Sequence, residues 1–280
     1  MKKVLVVVGP TASGKSDLAV RLAKKLNGEI ISADSRQVYK GLNIGTGKIT
    51  KKEMRGVPHH MLDLINPKKQ FSASEFTSKA NEAIKLIEAK KALPIVVGGT
   101  GFYIDALTGR TSFPDVGPNK LLRRKLNKLD NRRLFEMLRK KDPKRAKTID
   151  ANNKVRLIRA LEIIDKYGSV PQLGSSTSKY KFIYIGLRPN DLKERIIKRV
   201  KQMFKKGLLR EISKLKRSGV SEKRLMELGF EYWHPTEESL FRDTVRYAKR
   251  QMTWFKRNKN IRWFDPSQYK DIENYAKRNG

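Results

Sequence analysis

Short unbroken apolar runs alternate along this chain with longer stretches whose apolar positions recur every three or four residues. Val4–Val8 is one such run, and apolar residues without polar alternation predict a strand buried on both faces. "GEIISADS" (28–35), "PIVVGGTG" (94–101) and "KFIYIGL" (181–187) predict three more, and "HMLDLI" (60–65) reads as a further strand. Between the first two runs, Leu18, Ala19, Leu22, Ala23 and Leu26 fall on one helical face. "FSASEFTSKANEAIKLIEAKKAL" (71–93) predicts a helix capped by Ser72 or Ser74, with Glu75 spaced to complete a capping box on Ser72. Strands alternating with helices predict an α/β fold, a parallel sheet covered by helices on both faces.

Between Gly109 and Lys179 the pattern changes. "TSFPDVGPN" (111–119) is rich in Pro and Gly, helical periodicity then covers 119–128, 131–141 and 152–167, and "GSVPQLGSSTS" (168–178) reads as a flexible return. The expected organisation is a core of residues 1–110 and 179–280 interrupted by an all-helical insert of residues 111–178. After the insert, 191–217 and 236–258 read as two long basic helices. The first carries an apolar stripe through Ile196, Val200, Met203, Leu208, Ile212 and Leu215.

Charge adds a partner to this picture. The 280 residues hold 63 Lys+Arg against 28 Asp+Glu, a net charge of +35. Residues 119–147 alone carry 13 basic against 3 acidic residues. Such a field recruits polyanions, and nucleic acid is favoured over an anionic membrane, because no basic block adjoins a long apolar segment. A basic surface that merely solubilises the chain is the plainer alternative. Cysteine is absent, which excludes disulfides, thiolate zinc sites and a cysteine nucleophile. The apolar run of "MKKVLVVVGP" is too short for a signal peptide, and no stretch is long and apolar enough to span a bilayer. The expected location is the cytoplasm.

Candidate chemistry begins where the first strand ends. Gly9, Pro10, Thr11, Ala12, Ser13, Gly14, Lys15 and Ser16 match G-x-x-x-x-G-K-[ST], a loop whose backbone N–H groups bind phosphate at a helix N-terminus. Lys15 reaches the distal phosphate and Ser16 holds Mg²⁺ in such loops. The motif is silent on the reaction. Asp34 and "GGT" (98–100) end two other predicted strands. If those strands neighbour the first, all three features face one crevice. Asp34 there is either a base or metal ligand, or only a turn-capping carboxylate. The strand 94–101 ends in Gly-Gly-Thr rather than a metal-holding Asp, which weakens an ATPase reading. His59 and His60 are neighbours that would point to opposite faces of a strand, and Asp63 is left between a structural and a site-facing role.

Taken together, "GPTASGKS", "ISADSRQVYKGLNIGTGK", "PHHMLDLI", "VVGGTGFYIDAL", "VRLIRALEI" and "YAKRQMTWF", in that order, closely resemble the tRNA dimethylallyltransferases. These enzymes prenylate the exocyclic amine of the adenosine just 3′ of the anticodon. The resemblance covers nearly the whole chain. It implies a P-loop NTPase-like core, an insert that grips the anticodon stem-loop of tRNA, and dimethylallyl diphosphate as donor. By matching position, the loop from Gly9 to Ser16 would hold the diphosphate, with Mg²⁺ on Ser16. Thr11 would bond near the bridging oxygen, Asp34 would accept the amine proton, and Arg199 would steady the leaving group beside Lys15. Asp34, Ser35, Arg36, Gln37, Thr100 and the segment Val155, Arg156, Leu157, Ile158, Arg159 would meet the tRNA. A monomer is expected, because one chain grips the RNA from two sides.

Two departures stand out. Gly229-Phe230-Glu231-Tyr232 lies where many bacterial relatives carry Gly-Tyr followed by Lys or Arg, and Gly47 replaces a more usual alanine, a change expected to be minor. The 280 residues hold no cysteine from which a zinc finger like that of eukaryotic relatives could be built. A P-loop kinase of a small molecule, and a basic RNA-binding protein with a merely structural loop, are the competing functions.

Overall fold

A computed structural model describes residues 2–114, 116–171 and 179–280. The described residues form two compact units, one within Met1–Gly109 and Thr177–Gly280, the other within Arg110–Ser176. Most of the predicted return segment, residues 172–178, lies outside the described residues.

In chain order the first unit starts with β1 (Lys2–Val8), α1 (Lys15–Lys25), β2 (Gly28–Ser32), α2 (Lys51–Met54), β3 (His59–His60), α3 (Ala73–Ala89), β4 (Leu93–Gly98) and α4 (Gly101–Leu107). The second unit supplies α5 (Lys120–Leu126), α6 (Asn131–Lys141), α7 (Pro143–Ala146) and α8 (Lys154–Tyr167). The first unit resumes with β5 (Tyr180–Leu187), α9 (Leu192–Lys205), α10 (Leu208–Arg217), α11 (Glu222–Leu228), α12 (Glu237–Phe255), β6 (Arg262–Phe264) and α13 (Tyr269–Asn279).

The six strands form one parallel sheet in the order β3-β2-β4-β1-β5-β6. The apolar run Val4–Val8 is fully buried because both faces are covered. Val4, Val6 and Val8 pack with Phe76, Ile84 and Ile87 of α3, while Leu5 and Val7 pack with Leu18 and Leu22 of α1 and Ile272 of α13. A third cluster joins Val38, Tyr39 and Leu42 to Ile196, Val200 and Met203 of α9, Leu208 and Ile212 of α10, and Leu240 of α12. Helix α3 starts as predicted: the Ser72 hydroxyl accepts from the Glu75 N–H, and the Glu75 carboxylate accepts from the Ser72 N–H.

Two expectations need correction. The helix 191–217 is two helices, separated at Lys206–Gly207. "HMLDLI" contributes only His60 to a strand, because Met61 and Asp63 take left-handed backbone conformations (φ 69° and 53°) that end the pairing. Asp63 is structural: it accepts from the buried Lys48 ammonium (2.6 Å).

The second unit has its own core of Leu126, Leu134, Leu138, Leu157, Leu161 and Ile164. The Glu162 carboxylate, fully buried, accepts from Arg123 (2.6 and 2.8 Å), from the Asn119 N–H (2.9 Å) and from Arg159 (3.4 Å). Satisfying a buried carboxylate from several donors in this way holds α5 to α8.

Candidate active site

Strand order decides whether the sequence motifs meet. β4 pairs with β1 on one side and β2 on the other, so the loop after β1, Gly98–Thr100 after β4, and Asp34 after β2 leave adjacent strand ends. Lys15, Ser16, Ser32, Asp34, Gln37 and Gly98 accordingly line one cleft, with Ala19, Ile30, Ile49, Leu62 and Val97 as its apolar wall. This is the crevice at the carboxyl ends of strands that open α/β sheets use for ligands.

In the glycine loop, Ala12 and Gly14 adopt left-handed conformations (φ 62° and 89°) and turn the chain into α1. The Lys15 ammonium donates to the Pro10 carbonyl (3.0 Å). Burial and the nearby Arg199 charge push its pKa down to about 8, against the opposing pull of Asp34. Ser13 is fully buried and its hydroxyl has no hydrogen-bond partner in the protein. A buried, unpaired donor inside a phosphate loop fits an anionic ligand oxygen as its partner.

Asp34 does cap a turn: its Oδ1 accepts from the N–H groups of Arg36 (2.9 Å) and Gln37 (3.2 Å). Turn-capping and site-facing roles, set against each other in the sequence, coincide here, because the capped carboxylate also lines the cleft. Its charge bears on Lys15, Arg36 and Arg199 alike.

Arg199 leaves the basic face of α9 and turns inward. Its Nη2 donates to the Thr46 carbonyl (3.0 Å), and burial holds its pKa below the usual arginine range although Asp34 and Glu231 draw it up. At Gly47 the backbone is left-handed (φ 55°), a conformation glycine adopts freely, and a Cβ there would meet the end of the Arg199 side chain, which would have to shift.

The residues expected to meet tRNA are not equivalent. Thr100 Oγ1 accepts from the Ser35 N–H (3.0 Å) and lies within 3.4 Å of the Ser35 hydroxyl, which fastens the Asp34 loop to the end of β4. The Gln37 side chain bonds Ser32 and the Thr46 carbonyl. The Arg36 guanidinium pairs with Glu231. In the second unit, Val155 and Arg156 are exposed, while Leu157 and Ile158 are buried in its core. This corrects the expectation for those two: their side chains are spent on packing and cannot touch a partner. Arg159 is engaged by Glu162 and the Val116 carbonyl.

Three functional supports were missed. Gln251 of α12, buried, accepts from the Thr11 N–H through Oε1 (2.8 Å) and donates to the Gly99 carbonyl through Nε2 (2.9 Å), bridging the ends of β1 and β4. A signal existed, since Gln251 interrupts the otherwise largely apolar buried series Leu240, Thr244, Ala248, Phe255. Glu211 of α10 accepts from the N–H groups of Asn43, Ile44 and Gly45 and from the Tyr232 hydroxyl, and so clamps the turn that presents Thr46 to Arg199. Glu231 stood out in the sequence as an acidic residue where many relatives carry Lys or Arg, but its role did not, because its partner is 195 residues away. The histidines divide as predicted: His59 lines the cleft with Nδ1 on the Val57 carbonyl (2.8 Å), and His60 meets Glu29 (2.7 Å) on the other face. Burial holds His59 below its usual pKa.

Among the described residues no group of three or more His, Cys, Asp or Glu is arranged to hold a metal ion. The exposed Ser16 hydroxyl at the start of α1 is an oxygen donor of the kind Mg²⁺ accepts when most of its ligands are substrate phosphate and water. No helix among the described residues is long and apolar enough to cross a membrane.

Comparison with known proteins adds a family. The IPP transferase family pattern matches residues 37–258. The tRNA dimethylallyltransferase of Thermoanaerobacter sp. (strain X514) is 40% identical, covering 98% of this chain and 95% of that protein. That of Anoxybacillus flavithermus is also 40% identical, over 94% and 90%. Among solved structures, the tRNA isopentenylpyrophosphate transferase of Bacillus halodurans is 37% identical with a TM-score of 0.73, covering 100% of this chain and 97% of that one. A eukaryotic dimethylallyltransferase acting on tRNA superposes with a TM-score of 0.81 at 26% identity, over 99% and 77%.

Proposed function

This chain belongs to the IPP transferase family, and on that premise we propose how its residues share the work of transferring a dimethylallyl group from dimethylallyl diphosphate to a tRNA adenosine. One observation carries the assignment: Lys15, Ser16 and Asp34 line a single cleft, with the half-buried Arg199 turned toward it. Cationic groups for a departing diphosphate and a carboxylate for a proton are thus gathered at one point.

The adenine amine is a weak nucleophile, because its lone pair is delocalised into the ring. The carbon–oxygen bond of the donor breaks with its electron pair leaving on diphosphate, the new nitrogen–carbon bond forms, and the amine proton passes to Asp34. Stabilising the leaving diphosphate is the larger task. The loop Gly9–Ser16, Lys15 and Arg199 supply it, and Thr11, anchored through its N–H by Gln251, faces the bridging oxygen. The Ser13 hydroxyl gains its missing partner from a diphosphate oxygen. Ser16 would hold Mg²⁺ together with diphosphate oxygens, and a bound Mg²⁺ would neutralise charge on the leaving group. The apolar wall of Ala19, Ile30, Ile49, Leu62 and Val97 keeps water from the allylic carbon.

The acceptor is the exocyclic amine of the adenosine 3′ of the anticodon, a loop base that is cheap to extrude. The Asp34–Gln37 loop, Thr100, and Val155 and Arg156 with the basic stretch 119–147 contact the tRNA. The enzyme works as a monomer in the cytoplasm. The test is incubation with unmodified tRNA, Mg²⁺ and dimethylallyl diphosphate, followed by nucleoside mass spectrometry. Prenylated adenosine is the expected product. Its absence, with turnover of ATP and a small acceptor instead, would favour a kinase and sink the assignment.

A further inference from the structure

Arg36 lies two residues after Asp34, and its backbone N–H already donates to the Asp34 carboxylate. Its guanidinium nonetheless turns to Glu231. Nη1 donates to Glu231 Oε1 at 2.6 Å and makes a still closer contact with Oε2. The group packs against the rings of Phe230 (5.2 Å) and Tyr247 (5.6 Å). Gly229 makes room for it, since a Cβ there would collide with the guanidinium. Glu231 is buried, so neither charge has full access to water as an alternative partner. Burial pushes the Glu231 carboxyl up, and the Arg36 charge opposes it.

Asp34 is surrounded by charge. Besides Arg36 it is faced by Lys15 from α1, Arg199 from α9, Glu231 from the segment after α11, Tyr103 from α4 and Tyr247 from α12. Of the three cations, Lys15 is bonded to Pro10 and Arg199 to Thr46, whereas Arg36 shares the loop of Asp34. Released from Glu231, its planar fork would find the nearest carboxylate in Asp34. A fork on that carboxylate occupies its oxygens and weakens it as a base.

We propose that Glu231 is a positioning residue for the prenyl transfer: by holding Arg36, it keeps the Asp34 carboxylate free to receive the amine proton. The inference rests on Asp34 being the proton acceptor.

Single-turnover transfer at saturating tRNA and dimethylallyl diphosphate tests it in four proteins: the unaltered chain, Glu231→Gln, Arg36→Gln and the double variant, with tRNA affinity measured alongside. Glu231→Gln is expected to slow the step by about tenfold, within the usual span of coupling between contacting residues, and to leave tRNA affinity within a few-fold. In the Arg36→Gln background the same change is expected to do nothing. An unaffected rate in Glu231→Gln would overturn the proposal. So would a loss that persists without Arg36, or tighter tRNA binding at an unchanged rate, which would mean that the freed arginine reaches a phosphate instead. If Glu231→Gln does not fold, Glu231→Asp shortens the reach while keeping the charge and allows the same comparison. Asp34→Asn separates the two claims. A normal rate there overturns both, whereas a slow Asp34→Asn with an unaffected Glu231→Gln overturns this one alone.

Discussion

At the residue scale, the cleft is a problem in charge placement. Asp34 is both the cap of its own turn and the carboxylate of the site, and Asp34→Asn separates these roles, since an amide oxygen still accepts from the two N–H groups but takes no proton at neutral pH. We expect a single-turnover loss of about 10²–10⁴, the span of a missing general base, with the protein still folded. Unchanged single-turnover rates would remove Asp34 from the chemistry. Lys15 gives a pH prediction with a definite sign. Its pKa in the free protein is about 8, so it is charged below that pH and neutral above it. Donor capture, read as kcat/KM for dimethylallyl diphosphate, should fall as pH rises through about 8. Bound diphosphate favours the ammonium and raises its pKa, so the alkaline limb of kcat should lie at higher pH. If kcat/KM stays flat well past pH 8, the Lys15 charge is not what captures the donor.

At the scale of elements, what the chain pattern made legible was local. The strands 4–8, 94–98 and 181–187 are unbroken apolar runs, and Ser72 and Glu75 sit three apart, so each element is written within its own span. The break after Lys206 was overlooked although two local signs mark it: Gly207, and the five-residue step from Met203 to Leu208 where a continuous helical stripe steps by three or four. That break matters. It swings α10 so that Glu211 reaches the N–H groups of Asn43, Ile44 and Gly45. Glu211→Ala should cost about 3 kcal/mol in urea unfolding, the scale of orphaning several partly buried donors at once. It should also weaken donor binding, because the Thr46 carbonyl that orients Arg199 belongs to the same turn. Full stability in that variant would mean that the turn is held by its own backbone bonds.

At the scale of the whole molecule, two units with separate cores divide the chain. The net charge of +35 and the basic stretch 119–147 give the electrostatic prediction. Replacing pairs of Lys or Arg there by Gln should weaken tRNA binding and flatten its dependence on log salt by about 0.7–0.9 for each phosphate no longer neutralised. A salt slope indifferent to these changes would leave that stretch as solvated surface. The sequence alone determined the phosphate loop, the buried strands and the helical insert, because these are set by neighbours along the chain: a glycine loop between strand and helix, or an apolar period over a few residues. Only the tertiary structure decided that β2, β4 and β1 are adjacent, which brings Asp34 to the loop. It also decided that Arg199 meets Thr46, Arg36 meets Glu231 and Thr11 meets Gln251, pairs separated by 153, 195 and 240 residues. No local pattern encodes such partners, because each is fixed by the packing of helices α9 to α12 on the strand ends.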